Sequence, residues 1–362
     1  GPVDAVYSRI IEWIESDMES TDEEPAGVSS LPNGTDYYNR LLASYTTTNM
    51  TADEIHELGL EEVARLRGEM EAIAVQVGFD GDLQDFFAFV RDDPQFYKPN
   101  TDEGRQACIT EVEEKLAFID ERLPEYFGVL PKADLVVKRV EPFREEDGGA
   151  QHYMTGTPDG SRPGIYYMHL SDMNAMPLPQ LEVVAYHEGS PGHHMQNSIA
   201  QEVEGVPTFR GQAGFGAYGE GWALYSEILA LEMGAYEDPY SNFGRLSSEM
   251  WRALRLVVDT GLHSKGWTMQ QAVDFMSENS AEPMPSVESE VRRYLVLAGQ
   301  ATSYKIGMVK IQQLRAKAEE ALGDQFDIRA FHDTILTGGA MPLSLLERRV
   351  DNWIAETLAA GA

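Results

Sequence analysis

Apolar positions along this chain recur mostly at intervals of three and four, the period that lines up side chains on one face of an α-helix. Residues 3–18 carry Val3, Val6, Tyr7, Ile10, Ile11 and Ile14 in that pattern and predict an opening helix. The acidic stretch from Glu19 to Glu24, ending before Pro25, predicts an exposed connection. Thr51 with Glu54 three residues later forms a capping-box pair, so a helix is expected from about Ala52 until Gly78 stops it. Residues 81–93 and 102–122 read as two further helices. From about Leu135 to Leu170 the pattern changes. LVVKRVEPF and GIYYMHL have the β-branched and aromatic content of short strands, and TPDGSRPG between them is rich in turn formers. A small antiparallel sheet is expected there. GIYYMHL, residues 164–170, is the candidate edge strand for pairing with an extended peptide, with a strand packed under helices as the alternative. Helical periodicity then resumes at Leu181–Ala200, after the Gly-rich FRGQAGFGAY loop, over residues 243–265, and from Glu288 to Trp353 as two or three helices.

Composition narrows the function classes. With 362 residues and 43% hydrophobic content, the chain can bury a large core. It has no apolar run of the roughly 18–20 residues that span a bilayer, so membrane insertion is not expected. Its 28 Lys and Arg against 60 Asp and Glu give a formal charge of -32. Nucleic-acid binding rests on clustered cations and is excluded as an expectation; anionic lipid is repelled as well. Such a surface supplies solubility and would favour cationic over acidic peptides at a cleft mouth. The single cysteine, Cys108, rules out an intramolecular disulfide framework and a Cys-rich zinc module, and no histidine neighbours it in sequence. It is read as passive. A cytoplasmic setting is expected, with export after removal of a signal sequence as the alternative. Nothing in the sequence indicates an oligomeric state.

The chemistry concentrates in His187-Glu188-Gly189-Ser190-Pro191-Gly192-His193-His194, three imidazoles and a carboxylate within eight residues. Zinc hydrolases hold the ion with neutral imidazoles and a third ligand, and use a nearby carboxylate as general base. In H-E-x-x-H the two histidines share one helical face, but here the second position is Pro191. On an unbroken helix His193 would lie about 9 Å along the axis from His187, too far to share an ion. Proline followed by glycine breaks that geometry. The run is therefore read as a kinked metalloprotease helix with two residues inserted, His187 and His193 as ligands and His194 as the competitor. Downstream, Glu220 and Glu227 in GEGWALYSE share a helical face, with Glu227 placed to orient a ligating histidine. Arg162 in DGSRPG can bind a substrate carboxylate or cap its loop. Arg252, Arg255, Asp259 and His263 form a polar row flanked by apolar residues, which makes His263 a candidate for binding substrate or stabilising a transition state.

HEGSPGHHMQ, FRGQAGFGAYGEGWALYSE, MWRALRLVVDTGLHSKGW and RRYLVLAGQATSYKIG resemble the bacterial family known as domain of unknown function 885. The resemblance runs from about Leu31 to Trp353. That family resembles zinc metallopeptidases of the thimet-oligopeptidase and Taq-carboxypeptidase kind, which implies a mainly α, zincin-like fold with the small sheet beside the metal helix. It also implies that Glu220 is the third metal ligand and that Tyr304 faces the metal, with Tyr294 in reserve. An N-terminal helical region, 1–130, and a catalytic region, 131–362, are expected to form one continuous domain. Family members commonly carry a further helical region upstream, so Gly1-Pro2 is expected to be a processing scar.

The expected activity is that of a peptidase with one zinc ion acting on short peptides. Glu188 would be the general base and Tyr304, with His263, the oxyanion donors; Arg162, His194 and Tyr294 would contact substrate. Hydrolysis of non-peptide amides or esters, and an inactive helical binding protein, are the alternatives.

Overall fold

The computed structural model describes residues 1–361 apart from 22–24, 147–148, 206, 208–209 and 211–212. Parts of the acidic connection and of the Gly-rich loop lie outside the described residues. The N-terminal third is helical: α1 (Pro2–Met18), α2 (Gly34–Thr46), α3 (Ala52–Gln76), α4 (Leu83–Asp92), α5 (Asp102–Asp120) and the short α6 (Leu123–Tyr126). Thr51 caps α3 as expected: its hydroxyl accepts from the Glu54 N–H while Glu54 accepts from the Thr51 N–H. Helix α1 forms, but Val3, Tyr7, Ile11 and Ile14 on its apolar face are exposed.

Three strands follow, β1 (Leu135–Arg139), β2 (His152–Met154) and β3 (Gly164–Met168). The order is β1-β3-β2, with β1 parallel and β2 antiparallel to β3. One expectation is corrected here and one open alternative is decided. The sheet is mixed, because the long connection after β1 returns the chain in the same sense. The GIYYMHL segment supplies the central strand, buried along its whole length, so β1 and β2 are the edges. The alternative of a strand packed under helices therefore holds; a strand buried on both faces has no alternating pattern by which sequence could decide between the two.

The rest is helical: α7 (Leu178–Glu188), α8 (His193–Glu202), α9 (Gly216–Glu232), α10 (Pro239–Ser264), α11 (Met269–Glu278), α12 (Met284–Val296), α13 (Ser303–Leu322), α14 (Ile328–Leu336) and α15 (Leu343–Gly361). The C-terminal stretch thus holds four helices where two or three were expected. One core gathers α2, α5, β3, α7, α9 and α13 to α15; a second gathers α3, α4, α10, α11 and α12. Both draw on residues from either side of position 130.

Helix α13 lies flush on α9. A Cβ built on Gly307 would sit 1.9 Å from the Ala217 carbonyl oxygen and 2.7 Å from the Gly221 Cα. The buried Lys305 ammonium reaches Glu249 on α10 and Glu62 on α3, at 2.5 and 2.8 Å, which fixes α13 to both. Gly307→Ala is expected to force α9 and α13 apart and to destabilise the fold by at least about 1–3 kcal/mol, measured by urea unfolding. An unchanged unfolding midpoint would show that this close approach is not needed.

Candidate metal centre

The predicted kink is a complete break. Helix α7 ends at Glu188 and α8 begins at His193, with a cis Ser190-Pro191 bond between them. The chain doubles back so tightly that a Cβ on Gly192 would fall 2.0 Å from the His187 carbonyl oxygen and 2.3 Å from that of Tyr186. No residue larger than glycine fits there without moving the end of α7. The Pro191 carbonyl accepts hydrogen bonds from the indole of Trp222 at 2.9 Å and the hydroxyl of Ser226 at 3.3 Å, both on α9. The GEGWALYSE helix thereby holds the break and presents Glu220 to it.

His187, His193 and Glu220 converge, one ligand atom from each lying within 4.8 Å of the others. The Glu220 carboxylate is 3.4 Å from His193 Nε2 and 3.8 Å from His187 Nε2. These separations are long for hydrogen bonds, whose usual range is about 2.7–3.2 Å. The shorter one suits donors that share an ion, since tetrahedral bonds of about 2.0–2.2 Å place neighbouring ligand atoms about 3.3–3.6 Å apart, and the longer one lies slightly beyond that range. The two imidazoles stand edge to face, centroids 4.9 Å apart. Behind His187, Glu227 Oε1 is 2.7 Å from Nδ1, which turns Nε2 toward the cluster. Glu227 is buried and its other oxygen has no hydrogen-bond partner.

Charge follows this geometry. Burial pulls the His187 pKa down, but the Glu220 and Glu227 carboxylates outweigh it and push it up to about 9. Glu220 is raised by burial, yet the two histidines hold it well below the usual carboxylate range. The protonated His187 therefore stabilises the metal-free fold fully below the ordinary histidine pKa, and that contribution is lost as pH rises through about 9. A cation entering at neutral pH must displace this proton. Uptake is expected to release protons into weak buffer, with affinity falling as pH is lowered from 9. Glu227→Gln is expected to weaken affinity by roughly 10–100-fold in competition with a chelating dye, through loss of the ring's orienting partner.

His194 is not brought to the cluster. Its ring turns toward the sheet, with Nε2 3.1 Å from the Ala133 carbonyl and Nδ1 3.2 Å from the Tyr153 hydroxyl. Burial lowers its pKa to about 4. Nor is His263: Nδ1 accepts from the Val28 N–H and Nε2 faces the Tyr294 carbonyl, both at 3.0 Å, so both nitrogens serve the fold. Arg162 is exposed in its turn and lines no part of the cavity described below. Tyr294 is buried, accepting from Arg255 Nε at 2.9 Å and donating to Glu290 at 2.8 Å, a supporting position rather than a contact surface. Tyr304, on the first turn of α13, lies under the Arg255 guanidinium, 4.7 Å from ring centroid to Cζ. Cys108 and His332 are buried and apart from the cluster; burial pushes the Cys108 thiol up to about 11.

His187 and Glu188 open onto a cavity of about 340 Å³ at the seam of the two cores. Val183 lines it from one core, Val90 and Phe243 from the other. Arg252, Arg255, Glu282 and Glu290 add polar wall. The two arginines were visible in sequence as part of the α10 row, but periodicity could not tell which member of that row faces a void.

A family of bacterial proteins of unknown function, DUF885, matches residues 2–350. The chain belongs to this family. Among solved structures, a protein of Colwellia psychrerythraea matches this DUF885 chain at 36% identity and a TM-score of 0.92, over 96% of this chain and 60% of that one. A protein of Shewanella oneidensis matches at 21% identity and a TM-score of 0.77, over 94% of this chain and 63% of that one, and shows the fold alone. Both are described as a "putative lipoprotein". The DUF885 chain thus spans about 60% of the length of the relatives it matches. No curated protein matches it significantly.

Proposed function

We propose that this DUF885 protein is a metal-dependent hydrolase, a zincin-like peptidase that cleaves short peptides. The observation that carries the reading is the convergence of His187, His193 and Glu220, one ligand atom of each within 4.8 Å of the others, with Glu188 next to His187 in the cavity wall. Two imidazoles and a carboxylate are the donor set of hydrolytic zinc sites, and Glu227 supplies the outer carboxylate that such histidines usually carry. When bound, the divalent ion supplies Lewis acidity and lowers the pKa of a water molecule.

The chain's own groups do the rest. Glu188, buried at the end of α7 and lining the cavity, takes a proton from the attacking water and returns it to the leaving nitrogen. Tyr304 does not itself line the cavity but lies beneath the Arg255 guanidinium that does, and its assignment as donor to the carbonyl oxygen, a role typically worth about 2.7–4 kcal/mol, rests on the family resemblance. His263 has no free nitrogen for that task. The walls of Val90, Val183, Phe243 and Trp251 exclude water around the scissile bond.

Export is favoured over a cytoplasmic setting, because the Colwellia relative is described as a "putative lipoprotein". No helix among the described residues is long and apolar enough to cross a membrane.

The reading is tested by metal analysis of protein purified without chelator, followed by incubation with a peptide library and mass-spectrometric readout. One equivalent of zinc and new peptide termini are expected. Metal without peptide cleavage would turn attention to non-peptide amides or esters; failure to bind metal would leave a helical binding protein.

A further inference from the structure

We infer that Arg255, with Arg252, forms a subsite for a carboxylate of the ligand that enters this cavity. Arg255 is 8% exposed, and three of its features are already assigned. Nε donates to the Tyr294 hydroxyl at 2.9 Å, Nη2 donates to Glu290 at 3.0 Å, and one face of the guanidinium covers the Tyr304 ring. Nη1 is buried and has no hydrogen-bond partner among the described residues. An arginine N–H left unpaired away from water costs free energy, and such groups are rare in folded proteins unless a ligand satisfies them. Arg255 lines the same cavity as His187 and Glu188, so its guanidinium borders space that a ligand can occupy.

Arg252, one turn earlier on α10, lines this cavity too. Its Nη1 is held by the Ser248 carbonyl and hydroxyl, at 3.2 and 2.8 Å, while its buried Nε has no partner among the described residues. The carboxylates beside the two arginines already have partners. Apart from Glu188 beside the metal ligands, the acidic groups of this wall are Glu290 and Glu282. Glu290 is shared among Arg255, Arg293 and Tyr294, and Glu282 accepts from Gln180 with its pKa raised by burial. Among the described lining residues Arg91, Arg252 and Arg255 balance Glu188, Glu282 and Glu290, in a chain whose overall charge is -32. A planar carboxylate is the ligand group whose paired oxygens match guanidinium N–H donors.

A carboxylate on a short peptide comes from its C-terminus or from an acidic side chain. The first would make the protein read chain ends, the second would make it read sequence. The inference rests on the cavity being a substrate site, so its test uses binding to metal-free protein and does not require turnover. N-acetyl-Ala-Phe, its C-terminal amide, and N-acetyl-Ala-Glu amide are titrated calorimetrically into wild type, Arg255→Gln and Arg252→Gln in the presence of chelator. The wild type is expected to prefer a carboxylate-bearing peptide over N-acetyl-Ala-Phe amide by tenfold or more, and the identity of the preferred peptide assigns the source. Either substitution is expected to reduce that preference below threefold. Arg252 is less buried than Arg255, so Arg252→Gln serves if Arg255→Gln fails to fold. Equal binding of all three peptides to wild type, absence of binding, or a preference that survives in a folded variant overturns the subsite. Incubating the same peptides with the zinc-loaded protein separates the two readings. Carboxylate-selective binding without cleavage removes the peptidase and keeps the subsite; cleavage without selectivity does the reverse.

Discussion

Replacing Glu188 with Gln is expected to leave one metal ion bound per chain and to lower peptide turnover by about 10²–10⁴-fold, the range general acid–base catalysis contributes. Glutamine keeps the size of the side chain and a hydrogen-bonding oxygen, but it cannot accept and return a proton. Glu188 belongs to neither the ligand group nor the hydrogen-bond set that orients it: His187, His193 and Glu220 converge without it, and His187 is held by Glu227. Metal content and melting temperature are therefore expected to stay at wild-type values while kcat falls. That combination separates a base from a ligand, because loss of a ligand lowers occupancy and activity together. Full activity in Glu188→Gln would remove this carboxylate from the mechanism, and the next buried acid of the same cavity, Glu282, would become the candidate.

Legibility differed sharply between kinds of structure. Amphipathic helices with capping residues, such as α3 with Thr51 and Glu54, were readable because their signals are local. The convergence of His187 with His193 was readable because a proline and a glycine interrupt a helix wherever they occur. The order of three strands was not: β3 looks like an edge or a core strand according to what lies beside it, and its neighbours are set by long-range pairing. His263 failed for a related reason. Its position in a polar row on α10 was legible, but the Val28 N–H and Tyr294 carbonyl that occupy its ring come from segments remote in sequence. Arg255 was legible as a member of the same row, but the cavity it lines is formed with segments remote in sequence. Sequence patterns report which side chains share an element face; they do not report which of those faces meets a void.

His193→Ala and His194→Ala should behave in opposite ways, although the residues are adjacent. Structural zinc sites with four ligands bind with about 10–16 kcal/mol, so one ligand carries roughly 3 kcal/mol or more. Losing it weakens affinity about a hundredfold or beyond. His193→Ala is expected to show that loss by chelator competition, with little change in the stability of the metal-free fold, since its ring is in contact with the cluster rather than with buried structure. His194→Ala removes a buried ring from between the Ala133 carbonyl and the Tyr153 hydroxyl. It is expected to lower stability by about 1–3 kcal/mol, the cost of leaving buried polar groups unpaired, while keeping metal stoichiometry at one. The break at Pro191 makes this assignment: it starts α8 at His193 and rotates the two imidazoles to opposite sides, one toward Glu220 on α9 and the other toward the sheet. If His194→Ala lost the metal and His193→Ala kept it, α8 would have to begin one residue later than the structure places it. The Trp222 and Ser226 bonds to the Pro191 carbonyl would then no longer define the register of the site.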